Sequence, residues 1–179
     1  MASQLRVDKI LPVDGAPTTG GGGIIQVKST TKTDTDSFAS NTTNTFVDLS
    51  GLSVSITPKF STSKILVMFT VSAHVTTGTV HIRLMRGSTA IYVGDTASSR
   101  TQCTGGMRML SDEKYEMRSE TAVFLDSPST TSATTYKVQW TQTFSSSGES
   151  QYINRSYNDG DSDDRNRGAS SITVMEIAA

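Results

Sequence analysis

The sequence predicts an all-β protein, an antiparallel β-sandwich of jelly-roll type from about Ile24 to Ile177. Three observations predict it. Apolar and polar residues alternate with period two in run after run, as in strands with one wet face. Gly, Pro, Asp and Ser clusters separate those runs at intervals of about 8 to 15 residues, the layout of a two-sheet sandwich. Charged residues make up only 18% of the chain, so Ser and Thr supply much of the polar surface. Thr is β-branched and fits a pleated surface, and no segment sustains an i, i+3, i+4 apolar pattern.

The elements follow in order. Ile24-Ile25-Gln26-Val27 opens the domain, and Thr45 to Leu49 is a short alternating run. Leu52, Val54 and Ile56 share one face with hydroxyls opposite, and Pro58 stops that run. Lys64 to Val75 is the longest strand, with Ile65, Val67, Phe69, Val71, Ala73 and Val75 on one face. Leu66 and Met68 make its first half apolar on both faces, as in a strand buried on both sides. Gly78 marks a turn, Val80, Ile82 and Leu84 continue, and Ala90 to Val93 is the hairpin return. Gly105-Gly106 falls in a long irregular stretch. Tyr115 to Leu125 sets Tyr115, Met117, Thr121, Val123 and Leu125 against Glu116, Arg118 and Glu120. Asp126 to Ser129 is a turn, since Asp and Ser cap their own turns and Pro128 fixes φ. Thr135 to Phe144 carries Tyr136, Val138 and Trp140 on one face. Gln151 to Asn154 is short, Tyr157 to Gly168 is a polar loop, and Ile172 to Ile177 closes the chain. The first and last strands are strongly apolar and are expected to pair inside one sheet.

Composition narrows the function classes. Sixteen Lys and Arg face 17 Asp and Glu, a net charge of −1. A duplex nucleic-acid binder needs a clustered positive surface, so no nucleic-acid partner is expected. The single cysteine, Cys103, excludes an intramolecular disulfide and reads as a small packed side chain. No apolar run reaches the ~20 residues of a membrane span, and Arg6, Asp8 and Lys9 break any signal-peptide pattern at the start. The expected location is the cytoplasm, or outside the cell after lysis.

Residues 1–22 form a separate unit, an extended arm with a Gly-rich hinge, and 23–179 form the β domain. Pro12 and Pro17 oppose regular structure, and Gly20 to Gly23 act as a swivel. Leu5, Val7, Ile10, Leu11 and Val13 are too apolar for a purely solvated tail. They suit docking onto another chain by strand addition or in a groove. The competing reading is a tail that is disordered or folded back on its own domain.

Nothing in the chain reads as catalytic. His74 and His81 flank the turn at Gly78, so a hairpin could bring them together, yet no Gly-x-Ser-x-Gly elbow accompanies them. Asp112, Glu113, Glu116 and Glu120 alternate with Lys114 and Arg118 and read as a solvated face. Asp159, Asp161 and Asp163 have the spacing that opens a calcium loop, but Asp164 and Ser170 stand where an EF-hand needs Gly and Glu. No metal site and no cofactor is expected.

A resemblance enters on several segments taken together. Ser3 to Ile10, the Gly-rich hinge with Gly23 to Val27, and Leu52 to Pro58 resemble tail-fibre-like virion proteins of marine bacteriophages, the cyanophage type. So do Arg83 to Arg86 with Ile91 and Gly94-Asp95, Leu125 to Pro128, Thr134 to Gln139, Asn154 to Ser156 and Ser171 to Ile177. They run in order over nearly the whole chain. The resemblance implies a virion structural protein, a short tail or capsid fibre whose N-terminal segment attaches to other virion proteins. It implies a homotrimer with an outward β-sandwich. The chain lacks the shaft repeats of long fibres. A free carbohydrate-binding module and a capsid decoration protein are the alternative roles.

On this reading the 157–168 loop is the candidate contact to a host surface glycan. Tyr152, Tyr157, Asn158, Asp159, Asp161, Asp163 and Arg165 offer aromatic faces and hydrogen-bonding groups suited to sugar hydroxyls. A solvated turn without a partner is the plain alternative.

Overall fold

The computed structural model describes residues 23–38, 45–76, 78–109, 113–142 and 151–178. Among them are eleven strands and no helix. These are β1 (Ile24–Lys32), β2 (Asp36–Phe38), β3 (Val47–Ile56), β4 (Lys64–Val75), β5 (Gly78–Arg86) and β6 (Thr89–Ile91). After them come β7 (Gly105–Met109), β8 (Arg118–Asp126), β9 (Thr134–Gln142), β10 (Gln151–Ile153) and β11 (Ser170–Ile177). Leu5, Val7, Ile10, Leu11 and Val13, the expected docking residues, lie outside the described residues.

Two antiparallel sheets pack face to face. In the first, β8 lies on one edge of β4. On the other edge β11 and β10 follow one another end to end. β1 and β2 flank them in the same broken way. The second sheet runs β3, β9, β5, and then β6 and β7 end to end along the far edge of β5. Each sheet is thus four strands wide. The first and last strands do pair: Ile24 faces Ile177 and Lys32 faces Ser170.

The core forms where the inward positions of both sheets meet. Leu52, Ile56, Ile65, Phe69, Ile82, Leu84, Tyr136 and Ile172 are fully buried there. Burying such a side chain stabilises the fold by roughly 1.5–3 kcal/mol.

Several expectations need correction. The runs before and after Gly51 form one strand, β3, because Gly51 takes φ 79° and absorbs a bulge between Asp48 and Ser53. Gly105-Gly106 begins a strand, β7. The Glu120 carboxylate occupies the space beside Gly105 and would have to shift for a Cβ there. The residues after Gly78 do not return beside β4. Instead β5 crosses to the other sheet, so His74 and His81 sit on the outer faces of different sheets. On β8 the apolar register points outward: Val123 and Leu125 are exposed, while Ala122 and Asp126 are buried.

Asp126, expected in a turn, ends a strand and ties the sheets together. Its carboxylate accepts from Tyr136 Oη at 2.6 Å and from Arg86 Nη1 at 2.8 and 2.9 Å. Burial, and next the Asp126 carboxylate, push the Tyr136 hydroxyl well above its ordinary pKa, so it stays a donor. Glu176 makes a second tie near the opposite edge. It accepts from Gln26 Nε2 at 2.6 Å and from the Lys59 amide at 2.7 Å. A buried carboxylate needs such partners.

Replacing Tyr136 by Phe keeps the ring and removes one donor to a buried carboxylate. The expected loss is roughly 1–3 kcal/mol, read from the urea midpoint with unchanged slope. An unchanged midpoint would show that the tie contributes nothing net.

Candidate functional site

The polar loop 154–169 leaves the sheet in the middle of one strand position. β10 ends beside Ala73 and β11 begins its pairing beside Thr70, so the loop departs and returns across Ser72. Ser72 closes the neck. Its carbonyl accepts from the Asn154 amide at 2.9 Å and its amide donates to Ser170 Oγ at 3.0 Å. Asn154 is fully buried at φ 59°, a left-handed conformation that Asn tolerates. Its Nδ2 donates to the carbonyls of Lys32 (2.8 Å) and Asp34 (3.0 Å), and its Oδ1 accepts from Ser170 Oγ at 2.7 Å. Gly168 packs against Met117 and Ser72, where a Cβ would lie 3.0 Å and 3.2 Å from side-chain carbons.

Above the neck the loop lies on an aromatic base. His74 is buried, and its Nδ1 donates to the Glu116 carbonyl at 2.9 Å. The His74 ring centroid is 6.2 Å from that of Tyr152 and 6.1 Å from that of Tyr157, and the two tyrosines meet edge to face at 5.8 Å. Arg155 covers Tyr152 at 4.0 Å, and Arg165 covers Tyr115 at 4.1 Å. Asn158 donates its amide to the Lys114 carbonyl, and Asn166 donates its side-chain amide to the Tyr115 carbonyl.

The seven residues expected at a surface contact therefore divide. Tyr152 and Arg165 are partly buried and build the base. Asn158 is half-buried, and Tyr157 belongs to the base with 41% of its surface exposed. Asp159 binds within the loop, to Arg167 at 2.7 Å and Arg155 at 3.4 Å. Asp164 pairs with Arg165, and hydrogen bonds from Ser162 and then Arg165 hold its carboxyl below the usual range. Asp161 and Asp163 are exposed. Asp159, Gly160, Asp161, Ser162, Arg165 and Arg167 line a shallow pocket of about 250 Å³.

Among the described residues no three His, Cys, Asp or Glu side chains converge as metal ligands. Cys103 is half-buried, and burial followed by the nearby Glu120 charge pushes its thiol pKa up. The site presents donors, acceptors and two exposed aromatic residues, Tyr115 and Tyr157, groups suited to binding. His74, Asn154, Ser170 and Tyr115 were not expected here. Each reaches the site through a partner far away in sequence, which no local pattern signals. No protein-family model matches the chain, and no curated protein matches it in sequence.

Two outcomes follow. Asn154→Ala leaves the buried Lys32 carbonyl, the partly buried Asp34 carbonyl and the Ser170 hydroxyl short of a partner, with an expected cost of roughly 1–3 kcal/mol. Limited proteolysis should then cut within 154–169 first, and an uncut loop would contradict the neck.

Burial pushes the His74 imidazole below its ordinary pKa, partly offset by the Glu116 carbonyl. A depressed folded value gives stability that is complete above the unfolded pKa, about 6.5, and is lost as pH falls from there towards the folded value. Stability should thus decline on acidification through that window. His81 is depressed by burial as well and acts in the same direction. His74→Asn and His81→Asn should each flatten part of the decline in urea midpoints. An unchanged slope in the His74 variant would exclude its contribution.

Proposed function

We propose that the protein is a non-catalytic structural protein of a bacteriophage particle. In this reading it is a short tail or capsid fibre, made in the host cytoplasm and released on lysis. The single observation that carries it is the placement of two features at opposite ends of β1. The chain leaves residues 1–22 and enters β1 at Ile24, beside Ile177. The last residue of β1, Lys32, gives its carbonyl to Asn154 at the neck of the polar loop. The eight steps between span roughly 26 Å at ~3.3 Å per residue. An anchor at one end and a presented loop at the other is the layout of an appendage.

The arm binds other virion proteins through Leu5, Val7, Ile10, Leu11 and Val13. The 154–169 loop contacts a host surface glycan through Tyr157, Asp161 and Asp163, on the base built by Tyr152, Asn158, Asp159 and Arg165. The protein acts as a homotrimer. We read the strand order as a jelly roll: with broken strands joined, the chain changes sheet at every connection except the hairpin from β5 into β6.

A second reading is favoured by Tyr157, an exposed residue of the same loop whose carboxylates and guanidinium groups line a pocket. It is a free carbohydrate-binding module. Deleting residues 1–22 separates the two. A particle protein loses incorporation into virions and keeps a folded domain, whereas a free module binds glycan as before and is absent from purified particles in either form. Incorporation unaffected by the deletion would end the role of the arm, including on a capsid decoration protein.

A further inference from the structure

The two outer faces of the sandwich differ in kind. The face of the second sheet is a polar ladder. Asp48 pairs with Lys137 at 2.7 Å and accepts from Gln139 at 2.6 Å, and Gln139 accepts from Arg83 at 2.7 and 2.9 Å. Lys137 and the Gln139 amide hold the Asp48 carboxyl below its usual range. This is a face built for water.

The outer face of the first sheet is built otherwise. Register places Val27, Met175, Leu66 and Leu125 in one row that crosses all four strands. In the next row Met68 and Val123 continue it on β4 and β8, beside the hydroxyls of Thr173 and Ser29. The row beyond, Thr31, Ser171, Thr70 and Thr121, holds only hydroxyls. Val27 is 50% exposed, Leu125 51% and Val123 54%. The charged side chain in this field is Lys64, which sits at the rim and donates to Ser127. Four strands ~4.8 Å apart and about eight residues at ~3.3 Å make a face of roughly 500 Å², apolar and hydroxyl positions together. Taken whole, that face is more than half the ~800 Å² per partner of a standard interface.

We propose that this face is where copies of this chain meet, each covering the apolar rows of its neighbour. The inference deepens the self-association proposed above by naming its surface. The occupant is argued from charge and shape. A partner with a charged surface finds no complement here and would bury its own charges unpaired, at high cost. A second copy brings the same uncharged rows of apolar and hydroxyl side chains. The row through Val27, Met175, Leu66 and Leu125 runs from one edge strand, β1, to the other, β8, so copies arranged about an axis can cover it along its whole length.

The test measures the mass of the full chain by sedimentation at micromolar concentration. Wild type should give a multiple of 19.2 kDa. Val123→Lys with Leu125→Lys, on exposed positions, should reduce it to a single chain with an unchanged circular dichroism spectrum. Ser55→Lys on the opposite sheet should keep the wild-type mass. Should the lysine pair fail to fold, Val27→Thr with Leu125→Thr should raise the concentration needed for assembly about tenfold or more. A folded lysine pair that keeps the wild-type mass overturns the surface and leaves self-association standing. A two-copy mass abolished by the lysine pair supports the surface and removes the number three. A wild-type monomer overturns both. If deleting residues 1–22 from that monomer starts assembly, the chain's own arm is the occupant.

Discussion

Strand β4 is the constraint on which the rest of the first sheet depends. Its inward residues, from Ile65 to Val75, are all within 2% of complete burial. Its two edges must be paired along their length, because a buried backbone group without a partner costs about as much as a lost hydrogen bond. β8 supplies one edge in a single piece. The other edge is shared by β10 and β11, with Ser72 at the gap between them. The gap is tolerable only because Asn154 and Ser170 satisfy the Ser72 backbone there. The loop is thus fastened by the same hydrogen bonds that complete the strand.

The sandwich is also held by charge placed inside it. Asp126 and Glu176 are buried, and each collects donors from other elements of the fold. A buried carboxylate contributes little net stability once desolvation is counted, but losing a donor is costly. Such groups fix the relative position of sheets and turns more than they raise the total stability. Asp126 sets β8 against β5 and β9, and Glu176 sets the turn after β3 against β11.

One physical asymmetry organises the surface. At one end of the first sheet the outer face is roofed by the loop and the 113–117 segment, which bury His74 and Ser72. Towards the other end it lies open and apolar. The second sheet faces outward with paired charges. The entry to β1, the apolar face and the polar loop then fall on different parts of a small molecule.

The period-two alternation determined the all-β class and the span of β4 to the residue, because inward residues must repeat every second position, and the apolar character of the first and last strands marked them as partners. It also marked 157–168 as a polar loop. Which way a strand faces was legible only where polarity and burial agree. On β8 they disagree, since Val123 and Leu125 point outward and Asp126 points inward. Only the packing of the second sheet, which offers Tyr136 and Arg86, made the inward carboxylate tolerable. Gly105 could not be recognised as a strand residue from its own neighbours, because its reason is the Glu120 side chain on another strand. The histidines beside Gly78 illustrate the same limit. A turn signal does not say whether the chain returns in its own sheet or crosses to the other. That choice depends on which edges are already paired, and β8, β10 and β11 occupy both edges of β4.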